Sequence, residues 1–241
     1  MSAQRVVVAE ALDSLSPHHP AARRSRRDLQ RVHRVMGTRT IVADALTRML
    51  STRSSRSPLR ILELGAGDGS LMLGVAGSLP AGWPPVALTL LDRQALVSRS
   101  TIDRYQALDW TATPRVMDVL DWAATAGEGR PRWHLIVANL FLHHFEGAQL
   151  QALLSAIAGS GQRFFACEPQ RSVLALAGSH LIGALGVNAV TRGDAVSSVR
   201  AGFRGQELTA AWPSTCARWQ MREESAGLFS HCFYAARDGA E

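Results

Sequence analysis

The stretch Leu62-Glu63-Leu64-Gly65-Ala66-Gly67-Asp68-Gly69-Ser70 lies where a strand gives way to a helix. Before it, Leu59–Leu64 is a leucine- and isoleucine-rich stretch of strand length. After it, Ser70–Ser78 has helical spacing, and Pro80 stops the helix. Glycines at alternate positions let the chain turn sharply and let a ligand approach bare main chain. A dinucleotide fingerprint needs a glycine three residues after Gly67, where Ser70 stands, so this is Gly-x-Gly-x-Gly. Pyrophosphate favours a helix N-terminus without acids. Glu63 and Asp68 instead suit a ligand carrying an ammonium group, hydroxyls and a sulfonium. The alternative is a glycine turn that holds no ligand.

Working outward, strand and helix alternate. Val86–Asp92 is a continuous apolar strand, as a sheet covered on both faces requires. A polar helix follows near Arg93–Arg104. Arg115–Asp118 is a short third strand, Trp133–Asn139 a fourth, Gly147–Gly159 a helix and Arg163–Glu168 a fifth strand. This rhythm predicts right-handed crossovers and a parallel sheet. After Pro169, Ser172–Leu185 has a helical pattern, Gly186–Arg204 is irregular and Gly205–Trp212 is helical. Arg218–Glu224 and Leu228–Arg237 are β-rich and joined only by Ser225-Ala226-Gly227, which forces an antiparallel hairpin. Upstream, residues 1–20 are a short helix or arm, and a helical pattern from Ala22 to Leu50 divides at Gly37. Ser51–Pro58 is a polar linker.

Ile61–Ser70 resembles motif I of the class I S-adenosylmethionine-dependent methyltransferases. The resemblance covers roughly residues 59–169, and the strand pattern extends it to 237. It implies an α/β fold of three layers, Rossmann-like, with a seven-stranded, mostly parallel sheet in the order 3-2-1-4-5-7-6. Residues 1–58 are the expected N-terminal helical cap. Residues 59–241 are the expected methyltransferase domain, with a substrate-binding insertion at 172–212. S-adenosyl-L-methionine is the implied cofactor. The resemblance implies that Gly65, Gly67 and Gly69 pack under its methionine part, that Ala66 and Asp68 belong to the same cofactor loop, and that Glu63 holds the amino group, often through water.

Asp92 ends the second strand at about the distance expected of a ribose-binding acid, with Arg93 beside it. A carboxylate there can accept from both ribose hydroxyls; the alternative is a surface acid ending a strand. The family uses an acid after strand three for the adenine amino group and the next backbone N–H for the ring. Asp118 and Val119 fit, with Asp121 as the fallback. Asn139 ends strand four and is expected to face the cofactor. The family often starts that strand with an acid, where His134 stands here.

The turn Leu142-His143-His144-Phe145 resembles small-molecule methyltransferases. No Asn-Pro-Pro-Tyr follows strand four and no Pro-Cys pair occurs, which speaks against amino methylation of adenine or glutamine and against a cysteine-dependent cytosine mechanism. Oxygen methylation needs an aligned acceptor and a route for its proton. His143 and His144 are candidate bases, since histidine titrates near neutrality. The alternative is a helix cap and a packed ring. Glu168 is the third catalytic candidate, or it orients a loop through an arginine pair. Weaker candidates for cleft or acceptor contact are His33, Arg34, Gly37, Thr38, His180, Asn188, Arg192 and Arg204. The expected activity is methylation of a small molecule, preferably at oxygen of a phenolic, enolic or polyketide-like metabolite of secondary metabolism.

All 26 basic residues are arginine, and the formal net charge is +6. Residues 1–60 hold 12 arginines against 4 acids, and the remainder is slightly acidic, so the basic character belongs to the N-terminal segment. That segment keeps two rivals in view: methylation of RNA or another macromolecule, and a solvated arginine-rich face. Two further rivals are a nicotinamide-dependent oxidoreductase, disfavoured by the glycine spacing, and a catalytically inactive cofactor-binding protein. Nucleic acid is not the expected partner. Cys167, Cys216 and Cys232 are widely spaced and suggest buried thiols in a reducing cytoplasm, with no metal cluster. No apolar run reaches the roughly 18 residues of a membrane span, and no secretory signal is expected.

Overall fold

The computed structural model describes residues 4–16, 18–50, 57–126, 133–214 and 218–239. Most of the expected 51–58 linker, and Cys216, lie outside them.

The strands are β1 (Leu59–Leu64), β2 (Val86–Asp92), β3 (Trp110–Val116), β4 (Leu135–Asn139), β5 (Arg163–Pro169), β6 (Trp219–Ala226) and β7 (Ser230–Arg237). They form one seven-stranded sheet in the order 3-2-1-4-5-7-6. The first five run parallel, and β7 is antiparallel to both β5 and β6. Every residue of β4 and β5 is buried, which explains their apolar centres, Leu135–Ala138 and Phe164–Cys167.

Alternate side chains of β1 enter different cores. Ile61 joins Leu46 of α3 (Thr38–Leu50) and Met72 of α4 (Ser70–Ala76). Leu62 and Leu64 join Trp122 of α6 (Val119–Thr125) and Leu154 of α7 (Gly147–Ser160). The remaining helices are α1 (Ala11–Ser14), α2 (Pro20–Val35), α5 (Arg99–Gln106), α8 (Val173–Leu181), α9 (Ala189–Ala201) and α10 (Glu207–Ala211). The chain leaves β1 toward β2 on one side and returns through β4 on the other. This reversal opens a crevice beyond the carboxyl ends of β1 and β4, where α/β sheets bind ligands.

Three expectations need correction. The third strand is Trp110–Val116, not Arg115–Asp118. It is an edge strand, where Pro114 is tolerated because the missing N–H faces no further strand. The polar helix begins at Arg99, where the Ser98 side chain accepts from Thr101 N–H, rather than at Arg93. The segment expected to be irregular contains α9. Its amphipathic signal is weak, and tertiary anchors hold it: Asn188 caps Thr191 N–H at 3.0 Å, and Asp28 accepts from Asn188 N–H at 2.9 Å. Among the described residues, no helix is long and apolar enough to cross a membrane.

Candidate active site

Beyond β1 the chain turns through three left-handed glycines, with φ of +69° at Gly65, +57° at Gly67 and +73° at Gly69. A side chain there would be strained. The three serve different ends. A Cβ on Gly65 would lie 2.3 Å from the Phe141 ring, so this glycine admits the aromatic side chain. A Cβ on Gly67 would meet nothing within 4 Å. Gly69 is buried support, its carbonyl accepting from the Tyr105 hydroxyl at 2.7 Å. Asp92 fixes the loop from the next strand: one carboxylate oxygen accepts from Gly67 N–H at 2.9 Å, the other from Gln94 N–H at 2.8 Å. Asp68 accepts from Ser70 N–H at 3.0 Å and from the Gln30 amide at 3.1 Å.

This loop borders a cavity of about 710 Å³, within the range of small-molecule sites. Glu63, Gly65, Ala66, Gly67, Asp68, Asp92, Arg93, Asp118, Val119, Asn139, His143 and His144 all line it. Gly69 and Glu168 do not, and neither does the fallback Asp121. Asp118 is exposed and caps α6, accepting from Leu120 N–H at 2.8 Å. Two lining acceptors are buried without a hydrogen-bond partner, Glu63 Oε2 and Asn139 Oδ1. Burial pushes the Glu63 carboxyl well above its ordinary pKa, and the negative charges of Asp68 and Asp92 push it further. His33 of α2 also faces the cavity, and burial lowers its pKa to about 4 despite Asp68, so the ring is neutral.

The opposite wall is the turn after β4. Leu140 has φ of +48°, a strained value for leucine, and a 3₁₀ turn spans Leu142–His144. The carboxylate of Glu168, fully buried on β5, holds this turn. It accepts from the backbone N–H groups of Phe141 (3.1 Å), Leu142 (2.9 Å) and His143 (3.3 Å), and it bonds His143 Nδ1 at 2.8 Å. Glu168 therefore orients the loop, which departs from its expected catalytic placement. Arg171, the nearest arginine in sequence, pairs with Glu207. His143 Nε2 lies 3.3 Å from Glu10 Oε1, so both ring nitrogens face carboxylates. Burial disfavours the charged ring, but the bonds to Glu10 and Glu168 prevail and push its pKa up to about 9. In this arrangement His143 is an imidazolium with no free lone pair, unlike the free base expected. His144 is half-buried, with its ring centroid 4.3 Å from that of His143.

Glu10 belongs to the N-terminal arm, which sequence reasoning did not bring to the site. The arm crosses the cavity, with Val7, Val8, Ala9 and Glu10 among its lining. Arg5 donates to the carbonyls of Ala201 (2.7 Å), Phe145 (2.8 Å) and His143 (3.2 Å) and lies over the Phe203 ring. Val6 N–H reaches Arg200 O at 3.2 Å. Asp194 of α9 accepts from the N–H groups of Ala11 (2.8 Å) and Leu12 (3.0 Å), and Ser198 donates to Glu10. The only local hint was an apolar run, Val6–Ala9, ending in an acid within a basic segment. Of the weaker candidates, only His33 lines the cavity; Arg34, Gly37, Thr38, His180, Asn188, Arg192 and Arg204 lie outside its lining.

No protein-family model and no curated protein matches the sequence. Solved structures do match. A plantazolicin methyltransferase, BpumL, in complex with SAH superposes with a TM-score of 0.62 at 14% identity, over 91% of each chain. A putative O-methyltransferase from Nostoc punctiforme matches with a TM-score of 0.57 at 14% identity, over 97% of this chain and 64% of that one. A structure concerned with conversion of a disulfide bond into a thioacetal group during echinomycin biosynthesis matches at 0.53 and 18% identity, over 82% and 81%. The chain has the class I S-adenosylmethionine-dependent methyltransferase fold. Its residues fit that cofactor: an unpaired carboxylate stands under the glycine loop, open space lies over Gly67, and Asp92 ends β2 beside both.

Proposed function

We propose that the protein is an S-adenosylmethionine-dependent methyltransferase acting on a small-molecule acceptor, at oxygen of a phenolic, enolic or polyketide-like metabolite. The observation that carries this is the buried, unpartnered Glu63 carboxylate at the floor of the glycine-lined cavity. An ammonium group is the partner it lacks, and a hydrogen bond to a charged group there is worth about 1.5–3 kcal/mol. Asp92 spends one lone pair of each oxygen on the backbone and keeps others for ribose hydroxyls. Asp118 and Val119 border the adenine side, and Asn139 lies between the two walls. The fold's likeness to a plantazolicin methyltransferase and a putative O-methyltransferase supports the same reading.

The cofactor supplies an activated methyl sulfonium, so the protein's task is to align an acceptor and give its proton a path. Glu168 and His143 are positioning residues that hold the 139–145 turn. The acceptor lies beside Glu10, His143 and His144, in a cavity roofed by the arm and α2, which belong to the N-terminal cap at 1–58. The segment 172–212 contributes Ser198 to that side. A cytoplasmic setting agrees with the free, buried thiols of Cys167 and Cys232, which face each other across β5 and β7.

Calorimetric titration with S-adenosylhomocysteine (SAH) tests the reading. The protein binds it at one site, and Asp92→Ala weakens binding by about 1–3 kcal/mol, the cost of unpairing buried hydrogen bonds. Failure of the wild-type protein to bind SAH refutes it.

A further inference from the structure

The arm and the turn after β4 converge on a cluster that neither suggests alone. One ligand atom each from Glu10, His143 and His144 lies within 4.8 Å of the other two, and all three residues line the cavity. The groups around them are ordered as around a bound ion. Metal-ligating histidines usually give their second N–H to a carboxylate, which fixes the tautomer and raises ligand basicity. Glu168 holds His143 Nδ1 at 2.8 Å in that way and turns Nε2 toward Glu10. Ser198 in turn fixes the Glu10 carboxylate. Outer partners are thus in place on His143 and Glu10.

We propose that Glu10, His143 and His144 form a binding site for one divalent transition-metal ion of the zinc type, open toward the acceptor side of the cavity. Two imidazoles and one carboxylate suit zinc, cobalt or nickel; magnesium and calcium favour all-oxygen shells. Three protein ligands leave at least one position free, the pattern of catalytic rather than structural zinc sites. On entry the ion replaces the proton between Nε2 and Glu10. That proton leaves to solvent, Nδ1–H stays on Glu168, and a neutral imidazole becomes the ligand. Metal binding itself does not depend on the methyltransferase reading. Its consequence does: an ion here lowers the pKa of an acceptor hydroxyl, whose proton leaves to water before methyl transfer.

The test uses the full chain, stripped with a chelator and titrated with Co²⁺. The expected result is one ion per chain, visible d–d absorption bands and release of about one proton per ion in weak buffer. His144→Ala and Glu10→Gln each weaken Co²⁺ binding at least about tenfold. Both spare the buried His143, and thermal melting checks that they fold. His18→Ala/His19→Ala, which alters exposed histidines away from the cavity, leaves binding unchanged. Absence of the bands, unchanged affinity in both cavity variants, or loss in the His18/His19 variant overturns the site. SAH titration of the same samples separates the two claims. Wild-type protein that binds SAH but no Co²⁺ overturns the metal site alone. Protein that binds Co²⁺ but no SAH keeps the site and overturns the methyltransferase reading.

Discussion

Glu63→Gln isolates the group on which cofactor recognition rests. Glu63 is 2% exposed, its Oε2 has no partner, and Asp68 and Asp92 add negative charge nearby. Its folded-state pKa is raised above the ordinary 4.5, so the folded protein binds a proton that the unfolded chain has released. Its effect on stability is nil below the unfolded pKa. As pH rises from there to the folded pKa, stability falls by about 1.4 kcal/mol per pH unit, and above it the penalty is constant. An unsatisfied buried polar group costs about 1–3 kcal/mol. Glutamine keeps the shape without the charge. At pH 8 and without ligand, the variant should therefore be more stable by at least about 1 kcal/mol, which raises Tm by about 2–4 °C for a chain of this size. With SAH the order reverses: loss of a charged hydrogen bond worth about 1.5–3 kcal/mol weakens binding about 10- to 150-fold. Wild-type binding should release protons and tighten with pH, because the ammonium needs an ionised Glu63; the variant should do neither. Differential scanning fluorimetry with and without SAH, and calorimetry in buffers of different ionisation enthalpy, read these quantities. An unchanged or lower unliganded Tm, or equal SAH affinities, refutes the reasoning.

Three further perturbations probe the frame around Glu63. Gly65→Ala meets both a φ of +69° and the Phe141 ring at 2.3 Å, so a thermal melt should show a loss of about 1–3 kcal/mol, with weaker SAH binding by calorimetry. Glu168→Gln leaves His143 and three backbone donors poorly matched in a buried site, and should cost about 3–5 kcal/mol by urea denaturation. Asp194→Ala frees the start of α1 and should raise the SAH dissociation rate in stopped-flow displacement while leaving association nearly unchanged.

The sheet was legible because its signals are local. An unbroken apolar run marks a doubly covered strand, and three linking residues force a hairpin. The glycine loop was legible for the same reason, since alternate glycines flanked by acids describe their own backbone. The third strand was blurred by Pro114, which only an edge position excuses. Helix α9 was hidden because its start depends on Asp28, some 160 residues earlier. The catalytic side was hard to read for the same reason. Spacing placed His143 and His144 beside β4, but whether a histidine is a base depends on what meets its nitrogens. Here those groups are Glu168 from β5 and Glu10 from the arm, and neither separation is written in a local pattern.

The arm touches both halves of the reaction chamber. Val7–Glu10 cover the crevice beside the glycine loop, while Arg5 grips the carbonyls of the turn that carries His143. One short strap therefore borders both the glycine-loop side of the cavity and the turn that carries His143. A wall completed by the same segment that covers the donor crevice predicts ordered loading, donor before acceptor and spent donor last. Steady-state inhibition by SAH should then be competitive toward the donor and noncompetitive toward the acceptor.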